Sequence, residues 1–210
     1  MNKEEKVLNY YIICNKLKNL IRKGWLDWSV KKDRLESVAE HVYGVQMLAI
    51  AMYSEYKYDI DLNKVLYMLA VHELGETIIG DLTVYDISKD EKMKIEHDAV
   101  HKILSGLLLG DEIEKLFLEF DLRETEEAKF AYHCDKLECD IQCKLYDEEN
   151  CVDLKNQKSS NANENKKVKD LLKTGMSWSN MWLTNDKYLY SDDKNFTSII
   201  EYMLQNKINK

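Results

Sequence analysis

The stretch Asp61-Leu-Asn-Lys-Val65-Leu-Tyr-Met-Leu69-Ala-Val-His72-Glu-Leu-Gly-Glu76 decides the fold. Val65, Leu69, His72 and Glu76 are spaced i, i+4, i+7, i+11, so on a helix they share one face. That stripe begins in Val and Leu and ends in His and Glu. An ionised carboxylate buried without a partner costs several kcal/mol, so such groups are paired or bind a metal. Asp61 can cap this helix at its start, and Gly80 stands just past its end. The segment therefore reads as an amphipathic helix whose buried face carries chemistry.

The same period continues on both sides. Ser37-Val-Ala-Glu40 is a capping-box pattern, opening a helix with apolar residues at Val38, Val42, Val45, Ala49 and Met52. Ser88-Lys-Asp-Glu91 is another, followed by Met93, Val100, Leu104 and Leu107. A short helix is expected over 111–119 and a long one over about 125–148, with a stripe of Phe130, Cys134, Leu137, Ile141 and Leu145. Upstream, 5–22 is helical in period and Gly24 is expected to end it; 25–34 reads as irregular. Downstream, 152–167 is polar and aperiodic, a mobile surface loop by composition, and amphipathic segments follow over about 168–184 and 194–207. Proline is absent, there are only 7 glycines, and no stretch reads as a strand, which suits helices better than a sheet with tight turns. The expected fold is all-α: a single-domain helical bundle of six to eight helices. Residues 1–150 form its core, and 151–210 add a polar loop and C-terminal helices packing on the same domain.

Composition narrows the function classes. The 210 residues suit one domain with a good core. No apolar run approaches the ~20 residues of a membrane span, and the polar start at Met1–Lys6 does not read as a secretory signal. A cytoplasmic protein with no membrane partner is expected. The net charge of −8 argues against a nucleic-acid partner but leaves room for a small phosphate ester held by a cation or two and a metal. The five cysteines form no CxxC pair and are odd in number, so free thiols in a reducing compartment are expected. Cys139 and Cys143 stand a helical turn apart, and core packing explains them better than zinc.

Each candidate site residue has an ordinary explanation when taken alone. Glu40 can complete a capping box, Asp81 can cap the turn after Gly80, and Glu76 can be a solvated face residue. His97, His101 and His133 have no convergent partner in the pattern. The set of His41, His72-Glu73, Glu76, Gly80-Asp81 and Asp135 is harder to attribute to packing.

The strings Arg34-Leu-Glu-Ser-Val-Ala-Glu-His41, Ala70-Val-His-Glu-Leu-Gly-Glu76, Gly80-Asp81 and Asp135-Lys-Leu-Glu138 resemble the HD-domain superfamily, and within it the bacterial 5′-deoxynucleotidase branch and its relatives in higher organisms. The resemblance covers about residues 8–148. It implies an HD-type fold and one divalent metal (Mn, Co, Fe, Ni, Zn or Mg) held by His41, His72, Glu73 and Asp135. It implies Glu76 and Asp81 as the acidic pair that orients the attacking water and handles the leaving-group proton. Trp25 and a nearby cation, Arg22 or Lys23, resemble the family's phosphate-and-sugar contact. Arg34 is a second candidate for phosphate charge, or an ion-pair partner of Glu36 or Glu40. The implied activity is hydrolysis of a (deoxy)nucleoside 5′-monophosphate, and the implied assembly a homodimer. One position departs from the family: its His-Asp pair is here His72-Glu73. A non-catalytic nucleotide-binding protein with the same pocket is the competing reading.

Overall fold

The computed structural model describes residues 1–83 and 85–209. In chain order the helices are α1 Lys3–Cys14, α2 Lys23–Asp27, α3 Val38–Tyr56, α4 Leu62–Val71, α5 Glu76–Ile79, α6 Lys89–Leu104, α7 Gly110–Leu122, α8 Glu126–Glu148, α9 Asn161–Glu164, α10 Lys166–Leu172, α11 Trp178–Asp186 and α12 Lys194–Gln205, with 3-10 turns at Asn15–Lys18 and Lys187–Tyr190. Among the described residues the only extended pairing is the isolated bridge Ile21–Ser37, so the chain is all-α. No described helix is long and apolar enough to cross a membrane. The helices are shorter and more numerous than the expected six to eight, because the patterned segments are broken by turns at their polar ends.

The chain divides into two units, residues 1–23 with 36–134, and 24–35 with 135–210. In the first unit the helix starts follow the capping chemistry. Ser37 accepts the Glu40 amide while Glu40 Oε2 takes the Ser37 amide at 2.9 Å. Asp61 Oδ1 takes the amides of Asn63 and Lys64 at 2.9 and 3.3 Å. A core of Val71, Leu74, Val100, Ile103, Leu104 and Phe117 joins α4, α6 and α7, with Tyr10, Ile13 and Cys14 of α1 packed on it. The rest of α1's apolar set does not join them: Val7 and Tyr11 are 63% and 57% exposed. The helix also stops earlier than expected. It ends at Cys14 rather than before Gly24, and Gly24 lies inside the one-turn helix α2, where an irregular stretch was expected to begin.

The second unit is organised by aromatics. Trp28 meets Trp178 and Trp182 at ring-centroid distances of 5.8 and 5.9 Å. Tyr190 stacks on Phe196 and donates its hydroxyl to Asp140 at 2.7 Å. The 152–167 segment takes a defined path instead of an unstructured one, because its Asn and Ser side chains bind backbone. Asn163 Nδ2 donates to the Lys158 carbonyl at 2.6 Å, and Ser160 accepts the Asn163 amide to start α9. None of the five cysteines is in a disulfide among the described residues.

Candidate metal centre

His41 lies in the first turns of α3, on the face that buries Val38, Val45, Ala49 and Met52. His72 is the residue that closes α4, and Glu73 follows in the turn before α5. The stripe Val65, Leu69, His72 and Glu76 is buried throughout, as its spacing requires. Carrying Glu76 onto that face does not take one continuous helix; the turn at 72–75 re-aims it as the first residue of α5.

Glu73 Oε1 lies 3.6 Å from His41 Nε2 and 3.6 Å from His72 Nε2. Donor atoms about 2.0–2.2 Å from one ion stand roughly 3–3.6 Å apart, so these spacings suit a shared cation. The His72 tautomer follows from its neighbour. Nδ1 lies 2.8 Å from the Leu69 carbonyl, which can only accept, so Nδ1 carries the proton and Nε2 keeps its lone pair for a ligand. Phe120 packs on the His72 ring at 5.2 Å and supplies an apolar wall. Asp135 follows Cys134 without a break in α8 and is buried. The ligand atoms of His41, His72 and Glu73 lie within 4.8 Å of one another. Two imidazoles and a carboxylate suit a divalent transition metal by chemistry as well as spacing.

Around this set lie the other acids and the cations. Arg22 Nη1 is 3.4 Å from Glu73 Oε1. Asp81 Oδ2 takes the Lys23 amide at 2.7 Å, and Lys23 Nζ pairs with Asp86 Oδ1 at 3.1 Å. Asp81 is aimed by Gly80, whose φ of 77° is open to glycine and strained for other residues. Burial, then the charges of Glu73 and Asp81, hold the Glu76 carboxyl well above the usual carboxylate range. Its Oε2 is buried and makes no hydrogen bond among the described residues.

Of the sequence candidates, Arg22, His41, His72, Glu73, Glu76 and Asp81 all belong to the first unit. Trp25 is buried, edge-on to Tyr146 at 5.2 Å and to Trp178 at 6.2 Å. Arg34 is exposed. Two charged residues of the acid cluster escaped the sequence reading, Lys92 and Glu96 on α6. Their i, i+4 spacing among many charges in 88–96 looks like a solvated face, and only the packing of α6 turns it inward.

A family model described as HD domain matches residues 14–174. The chain belongs to the HD-domain family. A 5′-deoxynucleotidase of Dictyostelium discoideum is 35% identical over 150 residues, covering 68% of this chain and 78% of that protein. A 5′-deoxynucleotidase of Schizosaccharomyces pombe is 32% identical over 152 residues, covering 69% and 74%. Among solved structures, a conserved hypothetical protein from Pyrococcus furiosus superposes with a TM-score of 0.57 at 30% identity, covering 68% of this HD-domain chain and 82% of that one. A protein from Magnetospirillum magnetotacticum, named a predicted metal-dependent phosphohydrolase, gives a TM-score of 0.66 over 97% and 94% of the two chains; at 20% identity it speaks for the fold alone.

Proposed function

We propose that this HD-domain protein is a metal-dependent phosphohydrolase that converts (deoxy)nucleoside 5′-monophosphates to nucleoside and phosphate. The observation that carries the reading is the cluster of His41, His72 and Glu73, with Glu76 and Asp81 in the same unit; Asp135 completes the proposed ligand set. The relatives named 5′-deoxynucleotidase support the substrate class.

When bound, the ion supplies a Lewis acid for phosphoryl oxygen and draws a water into place. The chain's own residues do the rest. Glu76 Oε2, buried and without a hydrogen bond, takes the proton of the attacking water. A carboxyl held above its usual range is the stronger base for that task. Asp81, fixed by the Lys23 amide, serves the leaving 5′-oxygen. Arg22 offers a guanidinium to the phosphate from beside Glu73, with Trp25 and Arg34 as further substrate contacts from the 24–35 segment. Residues 1–150 would then carry the site and 151–210 support it. A homodimer and a cytoplasmic location complete the proposal. The apolar side chains exposed on α1 (Val7, Leu8, Tyr11, Ile12) and on α3 (Tyr43, Met47, Ile50) support the dimer.

The test is release of phosphate from each nucleoside monophosphate with Mn, Co and Mg, together with Glu76→Ala. That variant is expected to lose ~100-fold in turnover with its metal content intact. Loss of the metal instead would make Glu76 a ligand. A wild-type protein that binds metal and nucleotide without turnover would establish the non-catalytic binding protein in place of the enzyme.

A further inference from the structure

Helix α6 places a lysine inside the acid cluster. Lys92 Nζ lies 3.4 Å from Glu76 Oε1 and 3.4 Å from Glu96 Oε1. The side chains are 25%, 2% and 14% exposed for Lys92, Glu76 and Glu96. Gly75 makes the approach possible. A Cβ there would stand 3.3 Å from Cβ and Cγ of Glu96, so the missing side chain lets α6 press onto the start of α5. A largely buried ammonium must be paired to be tolerated, and here both partners are carboxylates with opposite surroundings. Glu76 feels the charge of Glu73 in the candidate metal centre; Glu96 sits one turn along α6 and holds the lysine from its own helix.

Resting on the phosphohydrolase reading, we infer that Lys92, anchored by Glu96, is a positioning residue that binds Oε1 of Glu76 and so directs Oε2 at the water and phosphate. A glutamate's terminal torsion is broad and two-fold, so a carboxylate without a tether samples many orientations. Lys92 removes that freedom from one oxygen and leaves the other, which makes no hydrogen bond, as the proton acceptor. No proton leaves Lys92 in this role. The burial of its ammonium is opposed by the charges of Glu73, Glu76, Glu96 and Asp81, which together raise its pKa above the ordinary lysine value. The alternative is that Lys92 acts on the substrate phosphate itself, with Glu76 as a bystander.

A double-mutant cycle separates the two. Lys92→Met is expected to lower kcat by ~10- to 100-fold with KM changed less than about threefold, the loss typical of a misplaced catalytic group. Lys92→Arg should recover most of it. In a Glu76→Gln background, Lys92→Met should cost under about twofold more, because both changes remove one function. Mn affinity measured by calorimetry should stay within about threefold of wild type, and a crystal structure of metal-free Lys92→Met should show the Glu76 carboxylate turned from its wild-type place. Additive losses in the cycle, a rise confined to KM, or a Glu76 unmoved in that structure each overturn the inference. If Lys92→Met does not fold, Glu96→Gln, which keeps the lysine but removes its anchor, carries the same cycle. If wild type hydrolyses no phosphate ester, the functional reading fails, and the structure of the variant still decides whether Lys92 orients Glu76.

Discussion

Replacing Glu73 by Asp perturbs the position at which this chain departs from the His-Asp pair of its family. Glu73 Oε1 lies 3.6 Å from each imidazole Nε2 and 3.4 Å from Arg22 Nη1. Removing one methylene retracts the carboxylate by ~1.5 Å, one C–C bond. An oxygen that must reach within about 2.0–2.2 Å of an ion cannot absorb that retreat by rotation alone. The backbone is not free to follow. Leu74 donates to the Val71 carbonyl at 3.0 Å, Glu76 to the Glu73 carbonyl at 3.1 Å, and Gly75 is pressed against Glu96. A misplacement of ~1 Å at a reacting centre costs on the order of 100-fold in rate. Glu73→Asp is therefore expected to lower kcat ~100-fold and Mn affinity tenfold or more, with the fold retained by circular dichroism. The assays are calorimetric titration with Mn and phosphate release from a deoxynucleoside monophosphate. Equal or higher affinity and turnover in the variant would refute the reasoning, because the pocket would then not be shaped around the longer side chain.

Three other outcomes are expected. Gly110→Ala should destabilise the protein by about 1–3 kcal/mol in chemical denaturation, since overpacking forces backbone to move; its Cβ would stand 2.1 Å from the Leu104 carbonyl oxygen, and an unchanged midpoint would show that the α6–α7 corner is not tight. Burial pushes the Glu96 carboxyl up to about 7, against the pull of Lys92, so the folded state holds that proton more tightly than the unfolded state. The resulting stability is complete below pH ~4.5 and lost as pH rises through ~7, about 3 kcal/mol in all. Metal-free wild type should lose that much more than Glu96→Gln between pH 4.5 and 8, and parallel pH profiles would refute it. Mn at 100 times its Kd should stabilise wild type by about 2.7 kcal/mol and His72→Ala by much less, read as a shift in Tm; equal shifts would remove His72 from the ligand set.

Much of the fold was legible because its signals are local. The capping box at Ser37 and the cap at Asp61 start α3 and α4 where their side chains can reach the orphan amides, and the 3.6-residue stripe of α8 matches a helix running Glu126–Glu148. What was not legible depends on partners distant in sequence. The period of 5–22 continues past Cys14, yet the helix stops there, because the bridge between Ile21 and Ser37 claims the chain. In 152–167 the polar composition hides side-chain-to-backbone hydrogen bonds, which no periodicity reveals.

The site divides along the same line. His72 and Glu76 announce themselves because they extend the apolar stripe of Val65 and Leu69, and a stripe is readable from spacing alone; His41, Glu73, Asp81 and Asp135 rest on the resemblance of their strings to the family. Lys92 and Glu96 interrupt nothing: residues 88–96 are so rich in charge that any face of that helix looks solvated. Their inward turn is eased by Gly75, on another element, whose missing Cβ leaves room for the close contact with Glu96. A glycine in a turn has many explanations, and the one that matters here is set by what packs on it. His72 and Glu76 are thus written in a helical period, and Lys92 and Glu96, which face Glu76, are written in packing.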